Sequence, residues 1–593
     1  MIPGVAMTLN QSADLAARLT LDGFDAFDAE FQAITRRAEL RFEERDWVKG
    51  RQDASDRMDL YESTLDRVAC QLREALDAEA TNGQLWSAAR QRFASLVKQR
   101  YDIDRAETFF NSVTRKLLKT VGINREVEFF FLHPRAALPD REEAVYRAYA
   151  NVGDTARLVQ VILNGFHFRV GYERIERDAA LVAQELDLFM WPIIGGEMLY
   201  SVDVVQALFY RNKEAYIVGR IVVDAKSYPL VIPLVNGESG VYADTVLLHQ
   251  TDVSILFSFA YSYFFVDVER YDALIAFLRS IIPTADLGEL YTALGYNRHG
   301  KTEFYRELHR YVHVSKERFA IAPGKEGAVM IAFTLPNYGS VFKVIKDTPC
   351  FLRSAHDTPK VVTNEQVRRQ YDFVSHRDRA GRMVDTQEFE NLRFRTKRFS
   401  AALLAEFDQA AAKNVNITDE YVILRHAYVQ RKVVPLPLYF HSEKNPEAIR
   451  HVLLDFGYFL KDIAASGVFP CDLFNIWNYG VTTWGRVVLF DYDDVLPIEQ
   501  VTFREKPIPR NEFEETGLEE DWIVASGEDF FMDEIARYSG IPVPLKGVFN
   551  SVHGDLYTLR FWTELTEELS RGEVFDVVPY ERGRRFSDRV SRR

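Results

Sequence analysis

The sequence is 593 residues long, carries a net charge of −14, and is 47% hydrophobic and 13% aromatic. This length exceeds what one ordinary hydrophobic core supports, so we expect at least two domains, and the apolar content excludes general disorder. The acidic charge lacks the basic footprint of a nucleic-acid-binding protein, and three widely spaced cysteines fit neither a disulfide scaffold nor a zinc ribbon.

Two stretches bear on targeting and membranes. The N-terminus (MIPGVAMTLNQSADLAARL) has no basic segment followed by an apolar run, so we predict no signal peptide. The longest uncharged apolar stretch, residues 254–266, is too short to span a bilayer. With so few cysteines, the chain fits a reducing compartment. We therefore expect a cytoplasmic protein with no membrane partner and no nucleic-acid partner.

The first half of the chain is predicted to be mainly helical with a β-rich insertion. Apolar residues at three-to-four spacing predict helices over about residues 12–120, with Gly122 at the C′ position of the last one. The pattern is mixed over about 127–185. Alternation over 215–249 then predicts a β-meander, and helical spacing returns over about 269–313.

From Phe319 the pattern changes to strand, glycine-containing turn, strand, loop and strand. A helix over about 400–413 with Ser400 as N-cap and a strand over 421–429 are predicted next. Asn445 as N-cap then opens a helix that ends at Gly467. A small β-rich lobe followed by a helical lobe is the order found in protein kinases. We therefore predict an α+β fold with a mainly helical N-terminal domain over 1–318 and a bilobal, protein-kinase-like domain over 319–593.

Two motifs look like phosphate or metal sites but lack the required context. Residues 295–302 (GYNRHGKT) match the P-loop pattern, yet the residues before them have helical spacing, whereas a P-loop follows a strand. A P-loop ATPase, with Lys301 on the phosphates, is therefore a minor alternative. The DFG at 455–457 lies inside a predicted helix and precedes the candidate catalytic loop, so we place Asp455 on a solvated helix face.

A third set of signals is ordered like a nucleotide site. Gly324 and Gly327 lie in the turn between the first two strands of the second domain, where missing side chains let backbone amides approach phosphates. Lys343 follows in an apolar strand, where a buried ammonium needs phosphates or a carboxylate as partner. Glu388 and Glu390 are the candidate carboxylates, with surface acids near a helix start as the alternative interpretation.

Asp472, Asn478 and Asp491 complete this order. In protein kinases an asparagine five residues after the catalytic aspartate holds Mg²⁺, and an aspartate after the next hairpin holds Mg²⁺ against the phosphates. Here the first interval is six residues, residues 469–471 (FPC) replace the usual His-Arg, and 491–493 read DYD. The residues alone predict a divergent, kinase-like phosphotransferase.

Long strings resemble the isocitrate dehydrogenase kinase/phosphatase family over essentially the whole chain. They include APGKEGAVM (322–330), FTLPNYGSVFKVIKD (333–347), GRMVDTQEFEN (381–391), GRVVLFDYDD (485–494) and ELYTALGYNRHGKTEFYREL (289–308). The resemblance implies a bifunctional enzyme that phosphorylates and dephosphorylates a serine of NADP-dependent isocitrate dehydrogenase. This reaction controls flux between the citric acid cycle and the glyoxylate bypass. The resemblance also implies a kinase-fold C-terminal domain and an N-terminal domain that binds AMP as allosteric effector.

The resemblance further implies one site for both activities, using Mg²⁺ with ATP, or with ADP for the phosphatase. By residue, it implies catalytic roles for Asp472, Asp385 and Asp493, and Mg²⁺ ligation by Asn478 and Asp491. The nucleotide contacts it implies are Ala322, Pro323, Gly324, Lys325, Glu326, Gly327, Ala328 and Lys343. We also consider a homodimer, which the sequence does not decide.

The catalytic loop departs from the family pattern. The family reads Asp-x-x-x-Lys-Asn, whereas residues 472–478 read DLFNIWN, one residue longer, with Trp477 where a lysine is expected. Losing a cation beside the γ-phosphate removes charge stabilisation in the transition state. A kinase-weakened member, acting mainly as a phosphatase or as a nucleotide-sensing binding protein for isocitrate dehydrogenase, is therefore our alternative. We expect the C-terminal residues 582–593 to form a solvated tail.

Overall fold

The structure is a computed structural model that describes residues 7–132, 145–195, 199–224, 226–258, 261–324, 326–351, 360–471, 473, 475–505, 529–532, 541–575, 577–580 and 582–587. The chain divides into two compact units of mixed helix and strand. Unit 1 is drawn from Met1–Ser258, Ser262–Lys316 and Val578–Arg593. Unit 2 is drawn from Phe259–Tyr261 and Glu317–Val577. Each unit therefore contains residues that are remote in sequence.

Unit 1 opens with the helices that the apolar spacing predicts. They are α1 (Leu9–Glu44), α2 (Trp47–Leu76), α3 (Gly83–Val97) and α4 (Ile103–Leu118). Thr8 and Gln11 form a capping box at the start of α1: each side chain accepts a hydrogen bond from the backbone N–H of the other residue, so two otherwise unpaired backbone donors are satisfied. Helix α4 ends at Leu118, and the left-handed residue that caps it is Lys119, with φ +50°; Gly122 also has a positive φ, +66°, but lies three residues beyond that cap. The predicted C′ glycine is therefore wrong.

The predicted β-meander is present as part of a six-stranded sheet, in the order β1-β2-β4-β5-β6 with β3 beside β4. The strands are β1 (Tyr146–Val152), β2 (Leu199–Val205), β3 (Phe209–Arg211), β4 (Glu214–Val223), β5 (Lys226–Asn236) and β6 (Val241–Ala243). The remaining helices of unit 1 are α5 (Thr155–Leu163), α6 (Ile175–Ile194), α7 (Gln250–Phe257), α8 (Tyr271–Ile281), α9 (Leu287–Ala293) and α10 (Asn297–Val314).

Strand β4 shows why this sheet is apolar on both faces. Side chains alternate along a strand, and Tyr216 and Val218 pack into the core formed with α1–α4 and α8. Ala215 and Ile217 point the other way, into a second core formed with α5 and α6. Burial on both faces explains the long apolar run from which the meander was predicted.

The end of the chain returns to unit 1. The Tyr580 hydroxyl lies 2.7 Å from a carboxylate oxygen of Glu214 and 2.7 Å from one of Asp244, and all three groups are buried. Arg585 donates to Asp244 over 3.0 Å, and Phe586 is only 4% exposed. The predicted solvated tail is therefore wrong for 582–587, because the buried Phe586 ring and the Arg585–Asp244 ion pair attach this segment to unit 1; residues 588–593 lie outside the described residues.

Unit 2 begins with a second six-stranded sheet, in the order β12-β14-β9-β8-β7 with β13 beside β14. Its strands are β7 (Ala320–Ile321), β8 (Met330–Thr334), β9 (Ser340–Ile345), β12 (Thr386–Arg395), β13 (Val415–Ile417) and β14 (Tyr421–Arg431). A short pair, β10 (Cys350–Phe351) and β11 (Lys360–Val361), lies between β9 and β12 in the chain. The predicted strand, turn, strand, loop and strand are confirmed. Glu388 and Glu390, however, lie within β12 and not near a helix start.

The helices of unit 2 are α11 (Asn364–Arg377), α12 (Ala401–Ala410), α13 (Leu436–Ser442), α14 (Pro446–Ala465), α15 (Lys546–His553) and α16 (Leu559–Ser570). Ser400 caps α12 by accepting from the Leu403 N–H, and Asn445 caps α14 by accepting from the Glu447 N–H, both as predicted. Helix α14 buries one face in the main core of this unit, and Gly467 follows it with φ +78°. Helix α11 has no counterpart in the sequence prediction.

Short strands follow α13 and α14. They are β15 (Val434–Pro435), β16 (Val468–Pro470), β17 (Tyr479–Val481), β18 (Val487–Leu489), β19 (Val495–Pro497), β20 (Thr502–Arg504) and β21 (Asp529–Phe531). Strands β15, β17 and β18 form one antiparallel sheet, and β16 pairs with β19. None of the helices that the structure describes combines the length and the apolar character needed to cross a lipid bilayer.

The P-loop interpretation is wrong. Helix α9 leads into the motif and α10 begins at Asn297, so Gly300, Lys301 and Thr302 all lie inside a helix. A P-loop needs a preceding strand, so that backbone N–H groups can wrap around phosphates. Gly300 has a packing role instead, since a Cβ atom there would lie 2.2 Å from the Thr292 hydroxyl oxygen.

The DFG triplet in α14 is not a metal site, but its aspartate is not solvated either. Asp455 accepts two hydrogen bonds from the Arg382 guanidinium, at 2.8 and 2.9 Å, and one from the Val487 N–H at 2.6 Å. Arg382 also donates to Asp462 over 2.8 Å. The predicted solvated position of Asp455 is therefore wrong, because a buried arginine some seventy residues earlier in the chain pairs with it.

We expect Arg382→Ala to destabilise the protein strongly. Removing the guanidinium takes away the ion-pair partner of both Asp455 and Asp462 in a mostly buried setting, a change that costs roughly 3–5 kcal/mol. Urea unfolding of the variant measures this loss. The control is Arg560→Ala, which removes an exposed ion pair with Glu564 and should leave the unfolding curve unchanged. Equal curves for wild type and Arg382→Ala would contradict a stabilising role.

Candidate active site

The loop between β7 and β8 contains the predicted nucleotide-binding glycines. Gly324 has φ +135°, a conformation that only glycine adopts readily. At Gly327 a Cβ atom would lie 2.5 Å from the Met330 carbonyl oxygen, so any side chain there would collide with backbone. The two glycines therefore meet the backbone requirements of a tight loop.

The other loop residues are mostly at the surface. Pro323 and Ala328 are exposed, Ala322 is half-buried, and its N–H donates to the Ala332 carbonyl over 2.9 Å. Glu326 pairs with Lys346 over 2.8 Å. Lys325 lies outside the described residues. The loop is thus closed at its base by the β7–β8 pairing and open to solvent at its tip.

Lys343 lies in the middle of the sheet, on β9, between Ala332 on β8 and Tyr428 on β14. It is 6% exposed, and its Nζ donates to the Phe490 carbonyl oxygen over 2.7 Å. This contact fixes the ammonium beside the residue that directly precedes Asp491.

The predicted pairing of Lys343 with Glu388 or Glu390 is wrong. Glu388 lies opposite Tyr428, so the whole of strand β14, with the Tyr428 ring, separates it from Lys343. The Glu388 carboxylate instead makes a side-chain hydrogen bond with His426 on β14. Glu390 lies opposite His426, farther along the same strand.

Helix α11 supplies an aromatic contact beside the acidic residues. The Tyr371 ring stacks on Tyr428, with centroids 4.1 Å apart, and meets Tyr492 edge-on at 5.0 Å. Burial raises the pKa of Tyr371 well above its usual value, and the charges of Asp493 and Asp491 raise it further. Helix α11 therefore lies close to the DYD segment. The capping box at Thr363 could have predicted this helix from sequence.

Hairpin β17–β18 brings Asn478 and Asp491 together. Tyr479 pairs with Leu489, and the Phe490 N–H donates to the Asn478 carbonyl oxygen over 3.1 Å. Asn478 and Phe490 therefore face each other, with Asp491 next along the chain. Lys343 contacts the carbonyl of the same Phe490. The hairpin therefore brings Lys343, the backbone of Asn478 and Asp491 close to one another.

Asp493 lies two residues after Asp491, and its surroundings disfavour a negative charge on its carboxylate. Burial raises its pKa well above the usual range, and the adjacent charge of Asp491 raises it further, whereas Lys343 acts in the opposite direction. One of its oxygens, Oδ1, is buried and has no hydrogen-bond partner. Two crowded carboxylates with an unsatisfied oxygen are the arrangement that a bound cation would stabilise.

The residues present fit Mg²⁺. This ion takes oxygen ligands and is usually held by one or two carboxylates together with phosphate oxygens of the substrate. Asp491, Asp493 and the Asn478 amide can supply such ligands. Within the described ranges, no group of three or more His, Cys, Asp or Glu side chains is arranged to hold a metal, and Asp472 lies outside those ranges.

Asp385 is connected to residues 491–493, the DYD segment, through the backbone of the preceding residue, Val384. The Val384 N–H donates to the Leu489 carbonyl over 3.0 Å, and the Tyr492 hydroxyl donates to the Val384 carbonyl. Burial raises the pKa of Asp385 to about 6, although a hydrogen bond from Gln387 and the charge of Arg431 act to lower it. A carboxylate with a pKa of about 6 is suited to act as a general base near neutral pH.

Comparison with known proteins decides the family. The family model described as "Isocitrate dehydrogenase kinase/phosphatase (AceK), regulatory domain" matches residues 17–316, and that of the "kinase domain" matches residues 317–582. The isocitrate dehydrogenase kinase/phosphatase of Anaeromyxobacter sp. (strain Fw109-5) is 39% identical over 577 residues, 97% of this chain and 98% of the relative. That of Yersinia enterocolitica is 35% identical over 580 residues, again 97% and 98%. The chain belongs to this family.

Membership of the isocitrate dehydrogenase kinase/phosphatase family confirms the resemblance seen in the sequence. It does not favour the alternative of a kinase-weakened or purely binding member, since relatives matched along nearly their whole length have the bifunctional name. Trp477 lies in a short 3₁₀ turn, Ile476–Asn478, and Asn475 donates to the Asn478 side-chain oxygen over 3.3 Å. This turn accommodates the longer loop directly before β17.

Sequence reasoning missed residues that hold this kinase/phosphatase site together. Arg382 holds β18 through two hydrogen bonds: its carbonyl accepts from the Leu489 N–H, and its guanidinium donates to the Val487 carbonyl. Tyr371 and Tyr492 pack against each other beside the acids. A single sequence carries no signal for Arg382, because its partners are remote in the chain.

Proposed function

We propose that the chain is an ATP-dependent protein serine kinase and phosphoprotein phosphatase acting on NADP-dependent isocitrate dehydrogenase, and so controls flux between the citric acid cycle and the glyoxylate bypass. One observation supports this most: Lys343 and Asn478 both contact Phe490, directly beside Asp491. Nucleotide lysine, amide and metal acid are thereby assembled in one place. The names of the full-length relatives supply the protein substrate.

We further propose that unit 2 has a protein-kinase-like fold. Its glycine-containing loop joins the first two strands of the sheet, its lysine is on the third, a helix follows, and the metal acid ends a later hairpin. Protein kinases use the same parts in the same order. In this proposal, residues 322–328 cover the phosphates, Lys343 binds them, and Asp472 accepts the proton of the substrate serine.

Asp491 and Asn478 would hold Mg²⁺ in both reactions. When bound, this ion would supply positive charge that offsets the negative charge developing during phosphoryl transfer. The protein's own part is positional: the β17–β18 hairpin sets the spacing of the two ligands, and Arg382 holds β18 in place. Lys343 adds a fixed positive charge, which costs little reorganisation during the reaction.

For the phosphatase reaction we propose Asp385 as the general base, with Asp493 as the second acid and ADP as the bound nucleotide. Hydrolysis needs a water oriented towards the phosphoserine, and a carboxylate can accept its proton. Asp385 directly follows Val384, whose carbonyl accepts a hydrogen bond from the Tyr492 hydroxyl, so its backbone is tied to the residue between Asp491 and Asp493. Transfer and hydrolysis would thus use separate acids around one nucleotide.

We also propose that unit 1 is the regulatory domain and binds AMP, which favours hydrolysis over transfer. Its support is the match of residues 17–316 to the family's regulatory-domain model. The ratio of the two activities with and without added AMP tests this proposal.

Transfer of label from [γ-³²P]ATP to isocitrate dehydrogenase tests the proposed function. We expect incorporation without AMP, and release of label from the phosphorylated dehydrogenase when ADP and AMP are added. A stable complex with the dehydrogenase without transfer or release would instead favour the binding-protein alternative.

Asp385→Asn is expected to separate the two activities. It should lower the phosphatase rate by about 10²–10⁴, the usual contribution of a general base, and change the kinase rate less than about twofold. The control is Glu388→Gln, a nearby exposed acid that pairs with His426 and should leave both rates unchanged. Equal loss of both activities in Asp385→Asn would contradict the assignment.

The pH dependence provides a second measurement on the same residue. A base with a pKa of about 6 is ionised above that pH and protonated below it. The phosphatase rate should therefore be level above pH 6 and fall about tenfold per pH unit below it. The residual activity of Asp385→Asn should lack this acidic limb. A wild-type profile that is flat down to pH 5 would contradict the assignment.

A further inference from the structure

Tyr261 belongs to the catalytic unit although it lies in the regulatory part of the sequence. It falls between α7 and α8, both in unit 1, and the next residue, Ser262, is again in unit 1. Its ring is 6% exposed and packs in the main core of unit 2. One side chain from this stretch is therefore an integral part of the unit that contains the candidate active site.

The Tyr261 backbone is strained. Its φ of +57° lies in the left-handed region, which is uncommon for a residue other than glycine and unfavourable for a bulky one. Such a conformation persists only where the surrounding structure determines it. Here the buried ring supplies one constraint, and Arg379 donates to the Tyr261 carbonyl over 3.3 Å to supply another.

The Tyr261 hydroxyl holds the backbone next to Asp385. It accepts a hydrogen bond from the Thr386 N–H over 2.9 Å and lies 3.4 Å from the Thr386 carbonyl oxygen, to which it donates. Burial raises the pKa of Tyr261 above its usual value, with Asp385 and Asp378 adding to the effect, so the hydroxyl keeps its proton and serves both contacts. Thr386 directly follows Asp385 in the chain.

Asp385 is therefore held on both sides by a tyrosine hydroxyl. Tyr492 of the DYD segment fixes the preceding residue, Val384, and Tyr261 fixes the following one, Thr386. Lys343 and Asp491 are positioned by different contacts, at Phe490 and in the β17–β18 hairpin. Loss of the Tyr261 hydroxyl should thus disturb Asp385 while leaving the nucleotide lysine and the metal acid in place.

We propose that Tyr261 is a positioning residue for phosphoserine hydrolysis, acting through Asp385. This inference rests on the proposed bifunctional activity and on the role proposed for Asp385.

Tyr261→Phe tests the proposal, because it removes the hydroxyl and keeps the buried ring. We expect the kcat of the phosphatase reaction to fall about tenfold or more, with little change in its KM, and the kinase rate to change less than about twofold. The matched control is Tyr458→Phe, on an exposed ring of α14, which should leave both rates unchanged. Equal loss of both activities, or an unchanged ratio between them, would overturn the proposal.

A double-mutant comparison separates positioning from general damage. If Tyr261 acts through Asp385, adding Tyr261→Phe to Asp385→Asn should not lower the residual phosphatase rate further. A further tenfold loss in the double variant would overturn the proposal. Should Tyr261→Phe fail to fold, Arg379→Met is the second variant. It removes the hydrogen bond to the Tyr261 carbonyl and should lower the phosphatase rate selectively. A wild type without either activity would refute the proposed function itself, which is a different result from an unchanged ratio.

Discussion

Asp491→Asn is expected to abolish both activities, lowering each rate by about a thousandfold or more. The carboxylate is a candidate Mg²⁺ ligand, and a metal ion contributes several kcal/mol of charge stabilisation to the transition state, with about 1.4 kcal/mol for each factor of ten. Asparagine has nearly the same shape but no charge. Label transfer and label release, each measured over a range of Mg²⁺ concentrations, check this result, and the variant should need much more Mg²⁺.

The control for Asp491→Asn is Asp494→Asn, which removes the same charge three residues farther along the chain. Its backbone carbonyl accepts from the Cys471 N–H over 2.9 Å, a contact that does not involve the side chain. We expect Asp494→Asn to retain both activities within a few-fold. If Asp491→Asn kept the wild-type Mg²⁺ dependence, the metal assignment would be refuted.

Lys343→Met should lower the kinase rate by about 10²–10³ and raise the KM for ATP. Methionine preserves the buried aliphatic stem, so the change removes mainly the charge and the hydrogen bond to the Phe490 carbonyl. A fixed cation that meets phosphates in a nearly dry site contributes about 3–4 kcal/mol to transition-state stabilisation, comparable to one donor of an oxyanion hole. Since both activities share one nucleotide site in our proposal, the phosphatase rate should also fall.

Two further lysines make the Lys343 result specific. Lys346→Met, three residues along the same segment, removes an ion pair with the exposed Glu326 and should have little effect on kcat. Lys301→Met tests the discarded P-loop interpretation and should leave nucleotide turnover intact. The opposite pattern, with Lys301 essential and Lys343 dispensable, would refute the kinase-like site. Nucleotide binding by isothermal titration separates loss of binding from loss of the chemical step.

Elements with local signals could be predicted from the sequence. Helix α14 has an asparagine cap, a proline in the first turn and a regular apolar stripe, and all of these act within a few residues of one another. The same holds for α12 and for the strands on either side of the glycine-containing loop. The order of loop, lysine and acids along the chain was likewise enough to indicate a kinase-like phosphotransferase.

Errors arose where a residue's partner is distant in the chain. Asp455 has the spacing of a surface residue, yet Arg382, which lies in the segment before β12, pairs with it through its guanidinium. Glu388 was considered as a partner for Lys343, but strand register places Tyr428 between them. The contact of Lys343 with Phe490 spans 147 residues, and no local pattern encodes it. Register and long-range ion pairs depend on tertiary packing, which composition and periodicity do not report.

The return of the C-terminal segment to unit 1 has a consequence for how the protein is made. Tyr580 and Phe586 fill buried positions in unit 1, so that unit lacks part of its core until the ribosome has synthesised the end of the chain. Domains ordinarily fold in the order in which they are translated. Here the unit that emerges first is completed last, after the whole catalytic unit has left the ribosome. A product truncated before Tyr580 would therefore lack part of the core of unit 1, although most of that unit is synthesised first.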